Sequence, residues 1–117
     1  MLQKGVYINA YGLFSIEESI ESNALMSGDP RFDLIEFEIG DFTKADISQL
    51  KIEDATVVSK LEFSAMRINR KMKIANVTTD EKFTKTLQFY GELLKETCWE
   101  FKIFNNVEEA KKWVGIL

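Results

Sequence analysis

Four stretches of alternating residues, each followed by a helical pattern, constrain this chain more than any other feature. GVYINAYG (5–12) puts Val6, Ile8 and Ala10 on one side and Tyr7, Asn9 and Tyr11 on the other, the period of two expected of a strand. LIEFEIG (34–40) sets Ile35, Phe37 and Ile39 against Leu34, Glu36 and Glu38. MKIANVTT (72–79) places Ala75 and Val77 together, and CWEFKIF (98–104) directs Trp99, Phe101 and Ile103 one way and Glu100 and Lys102 the other. After each stretch the apolar spacing changes to three and four, the repeat of one helical face.

The helical stripes are Ile16, Ile20 and Ala24; then Ala55, Val58, Leu61, Ala65 and Ile68 in a long helix over about 51–69; then Phe83, Leu87, Tyr90 and Leu94; and finally Val107, Ala110, Trp113 and Val114. Ser15 with Glu18, Thr78 with Glu81, and Asn106 with Glu109 have the spacing of a capping box, in which the first side chain accepts from a free N–H of the first turn. Gly28-Asp29-Pro30 ends the first helix, and a polar connection, DFTKADIS, follows the second strand. The order βαβαβαβα with short connections predicts an α/β fold with a largely parallel sheet. At 117 residues the chain reads as a single domain over 1–117.

A parallel sheet covered on both faces needs strands that are apolar throughout. Here Tyr7, Asn9, Tyr11, Glu36, Glu38, Glu100 and Lys102 form a polar second face, and burying unpaired carboxylates is costly. We therefore expect helices mainly on one face of the sheet. The other, with its two tyrosines, is expected to be exposed or to meet a second copy as a homodimer.

Four stretches resemble the small stand-alone bacterial SpoIIAA-like (STAS/SEC14-like) proteins: YGLFSIEESIES, DPRFDLIEFEIGDFTKADISQL, MKIANVTTDEKFTKTLQFYGEL and the closing FKIFNNVEEAKKWVG. The resemblance covers nearly the whole chain. It implies a four-unit βα superhelix with a mixed, mostly parallel sheet, its first strand antiparallel to its neighbour. Better-known members are anti-sigma-factor antagonists that switch when a Ser in an Asp-Ser-Ser/Ala-Gly motif is phosphorylated. This chain reads FTKADISQLK there, without the Gly, and its nearest hydroxyls, Thr43 and Ser48, do not match the motif.

Composition removes several function classes. There is no histidine, so the sequence offers no His-based triad and no usual zinc or iron ligand set. The six glycines form no dinucleotide or phosphate-loop fingerprint, and Asp41, Asp46 and Asp54 lack the spacing of a calcium loop. The reading is therefore no metal, no cofactor and no catalytic set. Cys98 has no partner for an internal disulfide, is read as a small buried hydrophobe, and points to a reducing compartment, the cytoplasm. No signal-peptide pattern or membrane-length apolar run occurs. A net charge of −4 argues against general nucleic-acid binding.

Charge is uneven. Residues 1–54 hold 11 acids and 4 bases, while Arg67, Arg70, Lys71 and Lys73 cluster where no acid occurs. These bases complement a helix C-terminus or form a patch for a small anion or phospholipid headgroup. Open parallel sheets bind ligands beyond the carboxyl ends of their strands. That edge offers Gly12, Asp41, Thr43, Lys44, Thr78, Thr79 and Asp80, with Ser48 nearby.

The leading expectation is a non-enzymatic binding or regulatory module that works by protein–protein contact through this loop region or the polar sheet face. The alternative is a carrier or sensor of an apolar or lipid-like ligand. Its site would lie between the second and third helices near Leu61, Ala65, Phe83 and Leu87, with Arg67 and Arg70 at the rim.

Overall fold

The computed structural model describes residues 5–116. The chain runs β1 (Gly5–Leu13), α1 (Ile16–Ser27), a 3-10 turn (Phe32–Leu34), β2 (Phe37–Asp46), α2 (Asp54–Ala65), β3 (Lys73–Val77), α3 (Glu81–Leu94), β4 (Glu100–Phe104) and α4 (Val107–Val114). The strands form one sheet in the order β1-β2-β3-β4, and all three pairings are parallel. The antiparallel first strand implied by the resemblance is absent. Each strand is followed by a helix that carries the chain back along the sheet, so the next strand enters in the same direction.

Register decides which side chains share a face. Tyr7, Ile39, Ala75 and Lys102 lie in one row, and Ile8, Gly40, Asn76 and Ile103 in the next. On the first face α4 lays Ala110 and Val114 on Phe37, Ile39, Ala75 and Val77. On the second, α2 and α3 bury Ala55, Ala65, Tyr90 and Leu94 around Ile74, and Phe83 and Leu87 pack near Ala10 and Phe14. α1 docks on α2 on that same side. Three helices on one face and one on the other match the expected asymmetry. Tyr7 and Tyr11, on β1, stay 41% and 61% exposed.

The premise of a uniformly polar second face fails at one strand. Glu38 pairs with Val6 and Ile74, which puts it beneath the three helices. The strand also starts later than its alternation suggests. Asn69 Nδ2 donates to Phe32 O at 2.9 Å and Ile35 O at 2.8 Å, tying residues 32–35 into a turn before the ladder begins. β2 then continues through the expected polar connection to Asp46. A bulge there takes Asn9↔Asp41 to Tyr11↔Lys44.

The helix starts follow capping chemistry. Ser15 Oγ accepts the Glu18 N–H at 3.2 Å and Asn106 Oδ1 the Glu109 N–H at 2.9 Å, both as the spacing predicts. At α3 the cap is Asp80, whose Oδ1 accepts the Phe83 N–H at 2.8 Å, and Thr78 Oγ1 instead accepts the Asp80 N–H. A carboxylate at the positive end of a helix is favoured by the macrodipole as well as by the hydrogen bond. Trp99 is buried as expected and donates its Nε1–H to Asn69 O at 2.7 Å. Trp113 is only half-buried, tilted against Phe104. Cys98 is exposed rather than buried, because it precedes β4 in the turn after α3.

Candidate functional site

α1 has no buried residue; its expected stripe residues Ile20 and Ala24 are exposed. The reason lies beneath it. Its inner positions Ser19, Ser22 and Asn23 face a cavity of about 100 Å³ between the sheet, α2 and α3. The walls are mainly apolar, with Ile8, Phe14, Val58, Ile74, Phe83 and Leu87 among them. On the other flank of α1 lies an open cleft of about 790 Å³ lined by Val6, Leu25, Met26, Phe32 and Ile35, among others. Ile8 and Ser22 line both spaces, so the two adjoin.

Three acids line the cavity, and two of them, Glu38 and Glu62, are closed in beneath the helices, while Asp54 accepts the Lys51 N–H at 2.8 Å. Glu38 comes from β2, and Glu62 comes from α2, where it sits on the inner face with Ala55, Ser59 and Ala65. Tyr90 of α3 donates its hydroxyl to Glu62 Oε1 at 2.9 Å. Glu38 Oε2 is closed off from solvent and has no hydrogen-bond partner. Lys51 is the only base in the lining, and it is exposed. Burial pushes the Glu38 carboxyl up to about 8, with the neighbouring Glu62 charge adding to the effect. Burial also raises Glu62 to about 7, against the lowering effect of the Tyr90 hydrogen bond. The two titrate as a pair that retains protons into the neutral range. Burial and the two carboxyls push Tyr90 well above its ordinary value, so it remains a donor.

Space on the cavity floor depends on Gly40. A Cβ there would lie 2.9 Å from Asn76 Oδ1 and 3.0 Å from the Phe42 ring. Asn76 is buried and lines the cavity beside the acids.

The residues singled out from sequence go elsewhere. Asp41 and Thr43 lie at the β2 bulge, where Asp41 Oδ1 accepts the Thr43 N–H at 3.0 Å and the Thr43 hydroxyl at 2.6 Å, and its Oδ2 accepts the Tyr7 hydroxyl at 3.2 Å. Burial alone would raise the Asp41 carboxyl, but the Thr43 and Tyr7 hydrogen bonds outweigh it and hold the group below its ordinary value. Lys44 is exposed and lies 5.8 Å from the Tyr11 ring centroid. Ser48 is exposed and donates its N–H to Asp46. Thr78 is buried in the α3 cap, while Thr79 is exposed. Asp41, Thr43 and Lys44 are thus together at the bulge, Thr78 and Thr79 follow the adjacent strand, and Ser48 lies in a separate turn.

Of the basic cluster, Arg67, Arg70 and Lys71 are exposed after α2. Lys73 leaves it: Nζ donates to Trp113 O at 3.2 Å and sits 5.3 Å from the centroid of that ring. The expected ligand space between α2 and α3 is occupied by the cavity, with Phe83 and Leu87 in its wall. Leu61 and Ala65 instead line a separate recess beside α1. Among the described residues no group of three or more His, Cys, Asp or Glu is placed to hold a metal ion, and no helix is long and apolar enough to cross a membrane.

Sequence reasoning missed the acid pair, although Glu62 carried a signal. Glu38 alternates with Glu36 and only the pairing with Val6 and Ile74 turns it inward, whereas Glu62 falls three residues before Ala65 and seven after Ala55, on the buried stripe itself. Leu61, chosen for that stripe, is 37% exposed.

No family model matches the chain, and no curated protein does. Among solved structures the chain is similar to an uncharacterised protein of the DUF3478 family with a SpoIIAA-like fold from Shewanella loihica PV-4. The TM-score is 0.57 at 18% identity, covering 92% of this chain and 82% of that one. The similarity is one of fold, and it agrees with the resemblance read from the sequence.

Proposed function

Proceeding from a SpoIIAA-like fold, we propose that this chain is a non-enzymatic binding module that carries or senses a small, largely apolar molecule in the space beneath α1. The observation that carries this reading is the cavity and adjoining cleft under a helix with no buried residue. Interiors normally pack to crystal-like density, so apolar side chains left around open volume are unusual. The cleft falls in the size range of small-molecule sites. Titration of the chain with n-octanol, followed by methyl NMR, tests the reading. Saturable shifts at Ile8, Val58 and Leu87 are expected. Ser22→Phe, which adds a ring where both spaces meet, should abolish them without lowering the melting temperature. Absence of saturable shifts in the unsubstituted chain would refute a small-molecule site.

A second reading, regulation by protein contact, is favoured by Tyr7, Tyr11 and Leu13, all exposed on the edge strand β1. The two are compatible if occupancy under α1 alters what β1 presents. A cytoplasmic location is part of the proposal, and the solitary Cys98 supports it. A homodimer through the β1 face is equally a proposal, which sedimentation of the chain and a Tyr7→Lys, Tyr11→Lys double variant would test.

A further inference from the structure

We infer that the space beneath α1 selects an alkylamine, with the ammonium head between Glu38 and Glu62 and the apolar chain directed toward the cleft. This rests on the small-molecule reading above and specifies its ligand.

Four observations lead to it. First, Glu38 Oε2 is buried and accepts from no protein donor, whereas buried polar atoms are almost always satisfied. In its ionised form the missing partner is a donor. Second, Glu62 lies in the same cavity, and Tyr90 is the one protein donor bonded to its carboxylate among the described residues. Two carboxyls with no base between them favour a cation and oppose an anion. Third, the same cavity is lined by further acceptors, Asn76 from β3 and the Ser19 and Ser22 hydroxyls from α1. An ammonium group has three donors to distribute among them. Fourth, the remaining walls are mainly apolar and the volume of about 100 Å³ fits a head of only a few heavy atoms. Anything longer must extend past Ile8 and Ser22 into the cleft, along Val6, Leu25 and Met26.

The fit is with a monocation. Once the pair has lost one of its two protons it carries a single negative charge, and one ammonium neutralises it. The other ionisable groups near the ligand do not take this role. Asp54 at the cavity already accepts the Lys51 N–H at 2.8 Å, Lys51 is exposed, Tyr90 stays protonated, and Asp29 at the cleft is already bonded to Arg31 at 2.8 Å. Below neutrality both acids are protonated and the pair is uncharged. Amine affinity should then fall about 20-fold from pH 7.5 to pH 5.5, the proton-linkage effect of a pair that loses its first proton near 7 and its second near 8.

The experiment is a titration of the full chain, followed by NMR, with n-butylamine, n-hexylamine and n-octylamine, and with n-octanol and octanoate as matched arms. The amines should bind at least tenfold more tightly than the alcohol at pH 7.5, and octanoate should bind more weakly than either. Affinity should rise about threefold to fourfold per added CH₂, the value for burying a methylene. Glu38→Gln should cost the amines at least tenfold more affinity than it costs n-octanol. Glu62→Gln provides the same comparison from α2. If n-octanol binds as well as n-octylamine, or amine binding ignores pH and both substitutions, the amine assignment is overturned while the small-molecule site stands. If neither amine nor alcohol binds, both readings are overturned.

Discussion

Stability should fall as pH rises from 5 to 8, and Glu38→Gln should remove about half of that fall. The Glu38 carboxyl is raised from its ordinary 4.5 to about 8 by burial and by Glu62. A raised carboxyl binds its proton more tightly in the folded chain than in the unfolded one. Its full stabilising effect is therefore present below about pH 4.5 and is lost as pH climbs toward the folded value. Every tenfold gain in proton affinity on folding corresponds to about 1.4 kcal/mol, so the pair accounts for a loss on the order of 3–5 kcal/mol across the window. The window is unusually clean because the chain has no histidine. The lowered carboxyls Asp29, Asp41 and Asp46 lose their effect in acid, below about pH 4. Urea melts at pH 5, 6, 7 and 8 measure the slope. Glu38→Gln keeps the side-chain volume without the charge; it should match the parent chain within about 1 kcal/mol at pH 5 and exceed it by about 2 kcal/mol at pH 8. A parent stability that is flat or rises over this range, or an unchanged slope in the variant, would refute the buried acid pair.

Three further outcomes follow from packing and backbone geometry. Asn69→Ala removes the donor to Phe32 O and Ile35 O and the acceptor for the Lys71 N–H, and should cost about 2–4 kcal/mol in denaturant melts. Trp113→Ala should cost about 2 kcal/mol, below the 3–5 kcal/mol usual for a fully buried ring, because Trp113 is half-buried on Phe104. Gly12 has φ of +61°, so Gly12→Ala should cost about 1 kcal/mol through backbone strain even though no atom lies within 4 Å of the added Cβ.

The order and kind of the elements could be read from periodicity, since alternation in GVYINAYG and the three-and-four spacing from Phe83 to Leu94 are local properties. What periodicity could not supply is register. LIEFEIG alternates cleanly whichever face is buried, and only pairing with Val6 and Ile74 sends Glu38 inward. In α2 a rotation of one residue separates Leu61 from Glu62, and hydrophobicity favoured the wrong one. The DFTKADIS stretch looked like a loop because its residues are polar; Asp41 instead holds a bulge through Thr43 and Tyr7, a non-local arrangement. α1 carried a sound cap and a plausible stripe, yet the stripe meets no core, because what lies under the helix is open volume.

The strand order also bears on how the chain acquires its structure during synthesis. Each strand lies beside the one made just before it, in the order β1-β2-β3-β4. No later segment has to insert between two strands already joined, and no early strand waits for a distant partner. Pairing can advance in step with the ribosome, each strand–helix unit docking on an edge that is already formed. Such sequential closure keeps loops short, which favours rapid folding and shortens the time that apolar strand edges stand open to aggregation.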